Sequence, residues 1–142
     1  MHVERRGSSK SAADYDYLTQ LGRQQAAAMA ARLCRSVSLS AAESAAEQRT
    51  KDTAAAIANA CRLPTPLPFD ANLTSSIKGE TDEARAERGI AAVQRFLAKT
   101  KGDVAVVSHG HIINLMMASI NGVPLTAEVL NLESACVSHS KQ

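Results

Sequence analysis

Apolar and polar positions fall in blocks along this chain, and the period of the pattern changes from one block to the next. Met1 to Arg5 reads as a strand, and Gly7 to Asp16 as a polar loop. Thr19 then suits a helix N-cap, with apolar positions recurring at Leu21, Ala26, Met29, Ala30 and Leu33. Ser36 to Ala41 alternates like a short strand, with Val37 and Leu39 on one face. Ala45 to Cys61 has a helical period, and its inner face is Ala54, Ile57, Ala58 and Cys61. The prolines of Leu63–Pro68 forbid a helix and carry the chain across the surface. Asn72 to Gly79 reads as a loop. Thr81 caps a third helix to Lys99, with Ile90, Val93, Phe96 and Leu97 inward. After a turn at Gly102-Asp103, Val104 to Val107 is a continuous apolar run, the pattern of a strand buried on both faces. Ser108-His109-Gly110 leads into a helix through Ile112, Leu115, Met116 and Ile120 to Gly122, and Ser134 to Ser138 suits an edge strand.

The order is therefore β, α, β, α, linker, α, β, α, β. Such alternation predicts a three-layer α/β/α sandwich with a mostly parallel central sheet. The length, 142 residues, fits a single domain spanning 1–142. In sheets of this kind function collects at the carboxyl ends of the strands. Arg5-Arg6-Gly7 follows the first strand, and His109 follows the Val104–Val107 strand.

Composition narrows the partners. Aromatics are 3% of the residues and Trp is absent, so the core must be built from Ala, Leu, Ile, Val and Met. Few stacking platforms remain, which argues against single-strand nucleic-acid binding. A net charge of +2 is too mild to call for nucleic acid or a membrane surface. No apolar run approaches a membrane span of roughly 20 residues, and the first residues hold no apolar signal core. Cys34, Cys61 and Cys136 are odd in number and widely spaced, without CxxC, so they read as buried free thiols in a reducing intracellular compartment, cytoplasm or organelle matrix, in preference to a disulfide or a metal site. No metal or cofactor is expected.

Four motifs occur in order: Arg5-Arg6-Gly7; Leu18-Thr19-Gln20-Leu21-Gly22-Arg23-Gln24-Gln25-Ala26; Arg49-Thr50-Lys51-Asp52-Thr53-Ala54; and Val106-Val107-Ser108-His109-Gly110. Each alone is weak. Together, across essentially the whole chain, they resemble the histidine phosphatase (phosphoglycerate mutase-like) superfamily. That family opens on Arg-His-Gly, continues with a Leu-Thr-x-x-Gly-x-x-Gln-Ala helix start and an Arg-x-x-x-Thr-Ala helix, and closes its apolar strand with Ser-His-Gly. The resemblance implies a phosphate pocket in which Arg5 and Arg49 hold phosphoryl oxygens and His109 contacts the same group. Guanidinium groups suit this role, because they stay charged and give paired hydrogen bonds.

The departures matter equally. The family's nucleophile is the histidine between Arg and Gly, and here Arg6 stands there. Attack on phosphorus needs a nitrogen lone pair, and guanidinium offers donors only. His2 lies inside the first strand rather than at its end. In the family's Leu-x-Glu-x-x-x-Gly segment, matched by Leu73 to Gly79, Ser75 takes the place of the general-acid Glu. Glu80 lies five residues further on. Serine does not protonate a leaving group at neutral pH, although the family's phosphohistidine phosphatases also work without that Glu. Ala45-Ala46 replace the usual Ser-Pro ahead of the Arg helix.

These features predict a pseudophosphatase: a binding module or assembly subunit with a residual anion site at Arg5, Arg6, Arg49 and His109. Its expected partners are phosphate or a phosphorylated ligand, and a protein partner or a second copy. The alternative is an active phosphomonoester or phosphohistidine phosphatase in which water attacks directly, the arginines stabilise the phosphoryl group and His109 acts as acid or base. A different α/β fold sharing these motifs by chance would leave Arg5, Arg49 and His109 apart. Taken singly, the arginines also suit a solvated strand end, and His109 a loop cap. His111 suits a surface or helix-start position, Met116-Met117 the core, and Glu83 to Arg88 a solvated helix face.

Overall fold

Thr19 begins the first helix as its pattern requires. Its hydroxyl accepts from the Gly22 backbone N–H at 2.9 Å, a cap worth about 1 kcal/mol. The computed structural model describes residues 16–122. Within them run α1 (Gln20–Ser36), β1 (Leu39–Ser44), α2 (Gln48–Cys61), a 3₁₀ turn (Ala71–Leu73), α3 (Asp82–Lys99), β2 (Asp103–Val107) and α4 (Gly110–Ile120). The expected strand Met1–Arg5 and edge strand Ser134–Ser138 lie outside the described residues.

The chain has the mixed α/β architecture with a parallel sheet. β1 and β2 pair in parallel, and Ser44 stands opposite Val107 in the register. α1 continues through Ser36, so β1 starts three residues later than the alternation suggested. Ser36 and the preceding residues extend the helix because Val37, at the C-cap, donates back to the Leu33 carbonyl at 2.9 Å. β2 is half-buried along Val104–Val107 rather than fully buried.

Small residues make the core, as the composition required. Ala26 and Ala30 on α1 and Ala54 and Ala58 on α2 are all buried. Ala45, Leu73 and Ala92 form a cluster with Val93 and Val106 against it. On α3 the fully buried line is Ala86, Gly89, Ala92 and Phe96, while Leu97 is exposed. Gly89 is where α4 comes closest: a Cβ there would meet Met116 Sδ at 2.5 Å. Thr81 caps α3 through the Ala84 N–H at 3.1 Å.

The cysteine expectation needs correcting. Cys34 and Cys61 form a disulfide with their Cα atoms 5.3 Å apart. α1 and α2 pack against each other and end side by side, which brings the two thiols together although 27 residues separate them in sequence. The pairing removes the basis for placing the chain in a reducing compartment. Cys136 lies outside the described residues.

One buried carboxylate belongs to neither helix nor loop. Glu43, on β1, is 4% exposed, and its Oε1 has no hydrogen-bond partner among the described residues. Burial, with the Asp70 charge added, pushes its carboxyl up to about 7; Lys99 and Arg95 oppose the shift.

Candidate anion site

Parallel pairing decides what meets at the strand ends. Because Ser44 and Val107 are in register, the chain leaves both strands at the same level, and the Ala45 N–H donates to the Val107 carbonyl at 2.8 Å. From β1, Ala45-Ala46-Glu47 lead directly into α2. From β2, Ser108 and His109 lead directly into α4, of which His109 is the N-cap. Glu47, Arg49 and His109 are thus brought together although 60 residues separate the two arginine-helix and strand-end motifs.

Arg49 Nη2 lies 3.3 Å from His109 Nδ1. A guanidinium only donates, so these partners assign Nδ1 as acceptor and leave the ring proton on Nε2. Nε2 in turn donates to Glu47 Oε1 at 2.5 Å. The other carboxylate oxygen of Glu47 accepts from the Thr74 hydroxyl at 3.0 Å. Burial alone would raise the Glu47 carboxyl, but hydrogen bonds from His109 and Thr74 outweigh it and hold the group below its ordinary value.

Asp16 supports the arrangement from the other side. Its carboxylate accepts from the Gln48 backbone N–H at 2.9 Å and the Arg49 N–H at 3.4 Å, and it pairs with Arg49 Nη1 at 2.7 Å. It therefore caps α2 from the residues before α1, while Glu47, the N-cap residue itself, makes no side-chain cap bond. A carboxylate suits a helix N-terminus, where free N–H groups converge. Burial raises the Asp16 carboxyl, but these bonds and the Arg49 charge together lower it.

The loop after the 3₁₀ turn closes one side of the site. Segment 68–70 pairs with β1, through Ser44 N–H to the Pro68 carbonyl at 3.2 Å and Asp70 N–H to the Ser44 carbonyl at 2.9 Å. Ser108 Oγ donates to the Leu73 carbonyl at 2.6 Å. These bonds set Thr74 beside Glu47, with Ser75 next in the chain.

Of the residues singled out in the sequence, Arg49 and His109 are therefore neighbours. His2, Arg5 and Arg6 lie outside the described residues. Glu80 is committed elsewhere: its two oxygens bind Arg88 Nε and Nη2, both at 2.8 Å. His111 contacts Arg85 rather than the site, at 2.9 Å. The sequence reading missed Glu47 and Asp16. The signal for Glu47 was its place two residues before the motif arginine, at a predicted helix start. Asp16 gave no signal of its own within an irregular polar loop. Among the described residues no group of three or more His, Cys, Asp or Glu side chains is placed to hold a metal ion. Among them, too, no helix is long and apolar enough to cross a membrane.

The described fold is similar to several solved structures. Bacillus stearothermophilus YhfR superposes with a TM-score of 0.68 at 20% identity, covering 92% of this chain and 81% of its own. Mycobacterial glucosyl-3-phosphoglycerate phosphatase gives 0.67 at 19% identity, with 87% and 78% covered. Its complex with inorganic phosphate gives 0.62 at 21% identity, with 80% and 72% covered. No curated protein sequence matches the chain. At such identities these likenesses speak for the fold alone. The sequence profile of the histidine phosphatase superfamily (branch 1) matches residues 2–74 and 66–141, nearly the whole chain, and with that the chain belongs to this superfamily.

Proposed function

We propose that this protein binds a phosphoryl group between Arg49 and His109 without turning it over through a phosphohistidine. The observation that carries the reading is the 3.3 Å approach of the Arg49 guanidinium to His109 at the ends of two parallel strands. A permanent cation and an imidazole meet there, with Arg5 and Arg6 due at the end of the first strand by the motif order. The inorganic phosphate complex of the mycobacterial relative supports a ligand of this class. The absence of turnover rests on Arg6 at the nucleophile's position, because guanidinium has no lone pair to attack phosphorus. In this reading the chain is a pseudophosphatase, serving as a binding module or as a subunit of an assembly.

A second reading is an active phosphatase, favoured by the Glu47–His109 pair. A carboxylate that fixes the histidine's tautomer is a common way to prepare an acid or base. Water would attack phosphorus, the P–O bond to the leaving group would break, and His109 would carry the proton. Titration calorimetry with inorganic phosphate, with hydrolysis of a phosphomonoester measured alongside, separates the two. The first reading expects binding, no turnover above blank and no phosphohistidine, and it expects Arg6→His to introduce activity. Turnover by the unmodified protein that disappears in His109→Ala establishes the second reading instead.

A further inference from the structure

Glu47 is the feature that neither reading uses as a ligand contact. A pocket for a fully ionised oxyanion is best lined with donors alone, yet this one holds an acceptor-only carboxylate against its histidine. That carboxylate is no loose surface group. One oxygen accepts from His109 Nε2 at 2.5 Å, and the other accepts at 3.0 Å from Thr74, on a different segment. Its side chain is 25% exposed, that of His109 10% and that of Arg49 21%, so a ligand reaching Arg49 and His109 arrives beside Glu47 in partly desolvated surroundings.

An anion without a hydrogen meets a carboxylate only as a like charge with facing lone pairs. An anion that carries a hydroxyl donates to it instead, turning the same contact into a charge-assisted hydrogen bond. Sulfate and phosphate have the same shape, and they differ here in that one point. From this we infer that Glu47 is the specificity-determining residue of the anion site: it selects a phosphoryl group that still bears a proton, and it rejects sulfate and sulfate esters. The inference rests on the Arg49–His109 pocket proposed above. Thr74, which ties Glu47, precedes Ser75 in the chain, so a carboxylate borders this loop although position 75 carries none.

The test compares inorganic phosphate with sulfate by titration calorimetry at about pH 8, where both ions are dianions and phosphate alone keeps a hydroxyl to donate. The unmodified protein is expected to prefer phosphate by roughly tenfold or more, the ratio that one good hydrogen bond in place of a repulsion supplies. Glu47→Gln is expected to bring the ratio within about threefold, by raising sulfate affinity, because an amide can donate as well as accept. A loosened fold would weaken both anions together and leave the ratio alone. A second measurement needs no variant: a phosphomonoester loses its last hydroxyl above its second pKa of about 6 while inorganic phosphate keeps one, so in the unmodified protein the ester should lose affinity relative to inorganic phosphate as pH rises past that value. The groups facing Glu47 are His109 and Thr74, with Arg49 and Asp16 behind them; at about pH 8 the two anions carry equal charge, so the charges of these groups act on both alike and cancel in the ratio. Binding of both anions with a ratio unmoved by Glu47→Gln, or an ester affinity that does not fall relative to inorganic phosphate with rising pH, overturns the inference and leaves the pocket standing. Failure of both anions to bind either protein overturns the pocket and the inference together.

Discussion

Two histidines, two positions apart, each meet an arginine and a carboxylate, yet they belong to different kinds of structure. His109 faces Arg49 at 3.3 Å and Glu47 at 2.5 Å. His111 faces Arg85 at 2.9 Å and has Asp82 at 4.0 Å. Around His111 the charges are spent on bracing a loop. Arg85 pairs with Asp82 at 3.0 Å and with Glu80 at 3.4 Å. Arg88 grips Glu80 and also donates to the carbonyls of Asn72 and Thr74 at 2.6 and 2.7 Å. Every partner there comes from α3, the segment before it or the start of α4. Around His109 the groups come from the ends of two paired strands, from the residues before α1 and, at Thr74, from the loop that the brace holds. The same side-chain types make a brace in one place and a convergent site in the other. What separates them is position on the sheet.

The largest expected effect tests that separation directly. Arg49→Ala removes the permanent cation of the His109 cluster, and should weaken phosphate binding about 10- to 150-fold, the range of a charge-assisted hydrogen bond worth about 1.5–3 kcal/mol. Calorimetry reads it, and an affinity within twofold of the unmodified protein would remove the distinction between site and brace.

Glu43 sharpens the contrast through pH, because it is the buried carboxylate that joins neither cluster. Its folded value is about 7 against an ordinary 4.5, so between those values the folded state holds the proton more tightly than the unfolded chain. Its contribution to stability is therefore full below about pH 4.5 and is lost as pH rises through about 7, a change on the order of 1–3 kcal/mol. Asp16 and Glu47 are shifted the other way, so their contribution is present at neutral pH and lost on acidification through their lowered folded values. Glu43→Gln should raise the melting temperature at pH 8 and flatten the decline between pH 5 and 8. Denaturation at several pH values measures this, and an unchanged slope refutes the shift.

The brace has a smaller, local signature. Arg88→Ala frees the carbonyls of Asn72 and Thr74 and both oxygens of Glu80 from one guanidinium. Amide exchange in segment 72–80 should quicken roughly tenfold while β1 and β2 stay protected. Exchange that quickens everywhere instead would mean that Arg88 supports the whole domain.

The fold was legible because its signals are local. Thr19 and Thr81 cap helices within three residues of themselves, and Val104–Val107 declares a strand by composition. The candidate site was legible in part, for Arg49 and His109, which the fold makes neighbours, sit inside motifs. Glu47 and Asp16 were not, because their roles exist only after folding. Glu47 sits in a segment patterned as an ordinary amphipathic helix, and its partners His109 and Thr74 lie 62 and 27 positions away. Asp16 caps a helix that starts 32 residues later. The disulfide escaped for the same reason: spacing along the chain carried no trace of two helices ending together.

The smallest effect is the one that most sharply divides the two histidines. His111 is 33% exposed at the side chain and contacts Arg85, which Asp82 and Glu80 already hold. Its removal leaves Arg85 with those carboxylates and leaves Arg49, Glu47 and His109 with all their mutual contacts. A substitution at an exposed helical position with retained neighbours changes stability by about 0.5 kcal/mol or less. His111→Ala should therefore leave phosphate affinity and the phosphate-to-sulfate ratio within about twofold of the unmodified protein. The same calorimetry on His109→Ala should lose most of the affinity. If the two alanine variants fall together, the two histidines act as one unit, and the brace is part of the site.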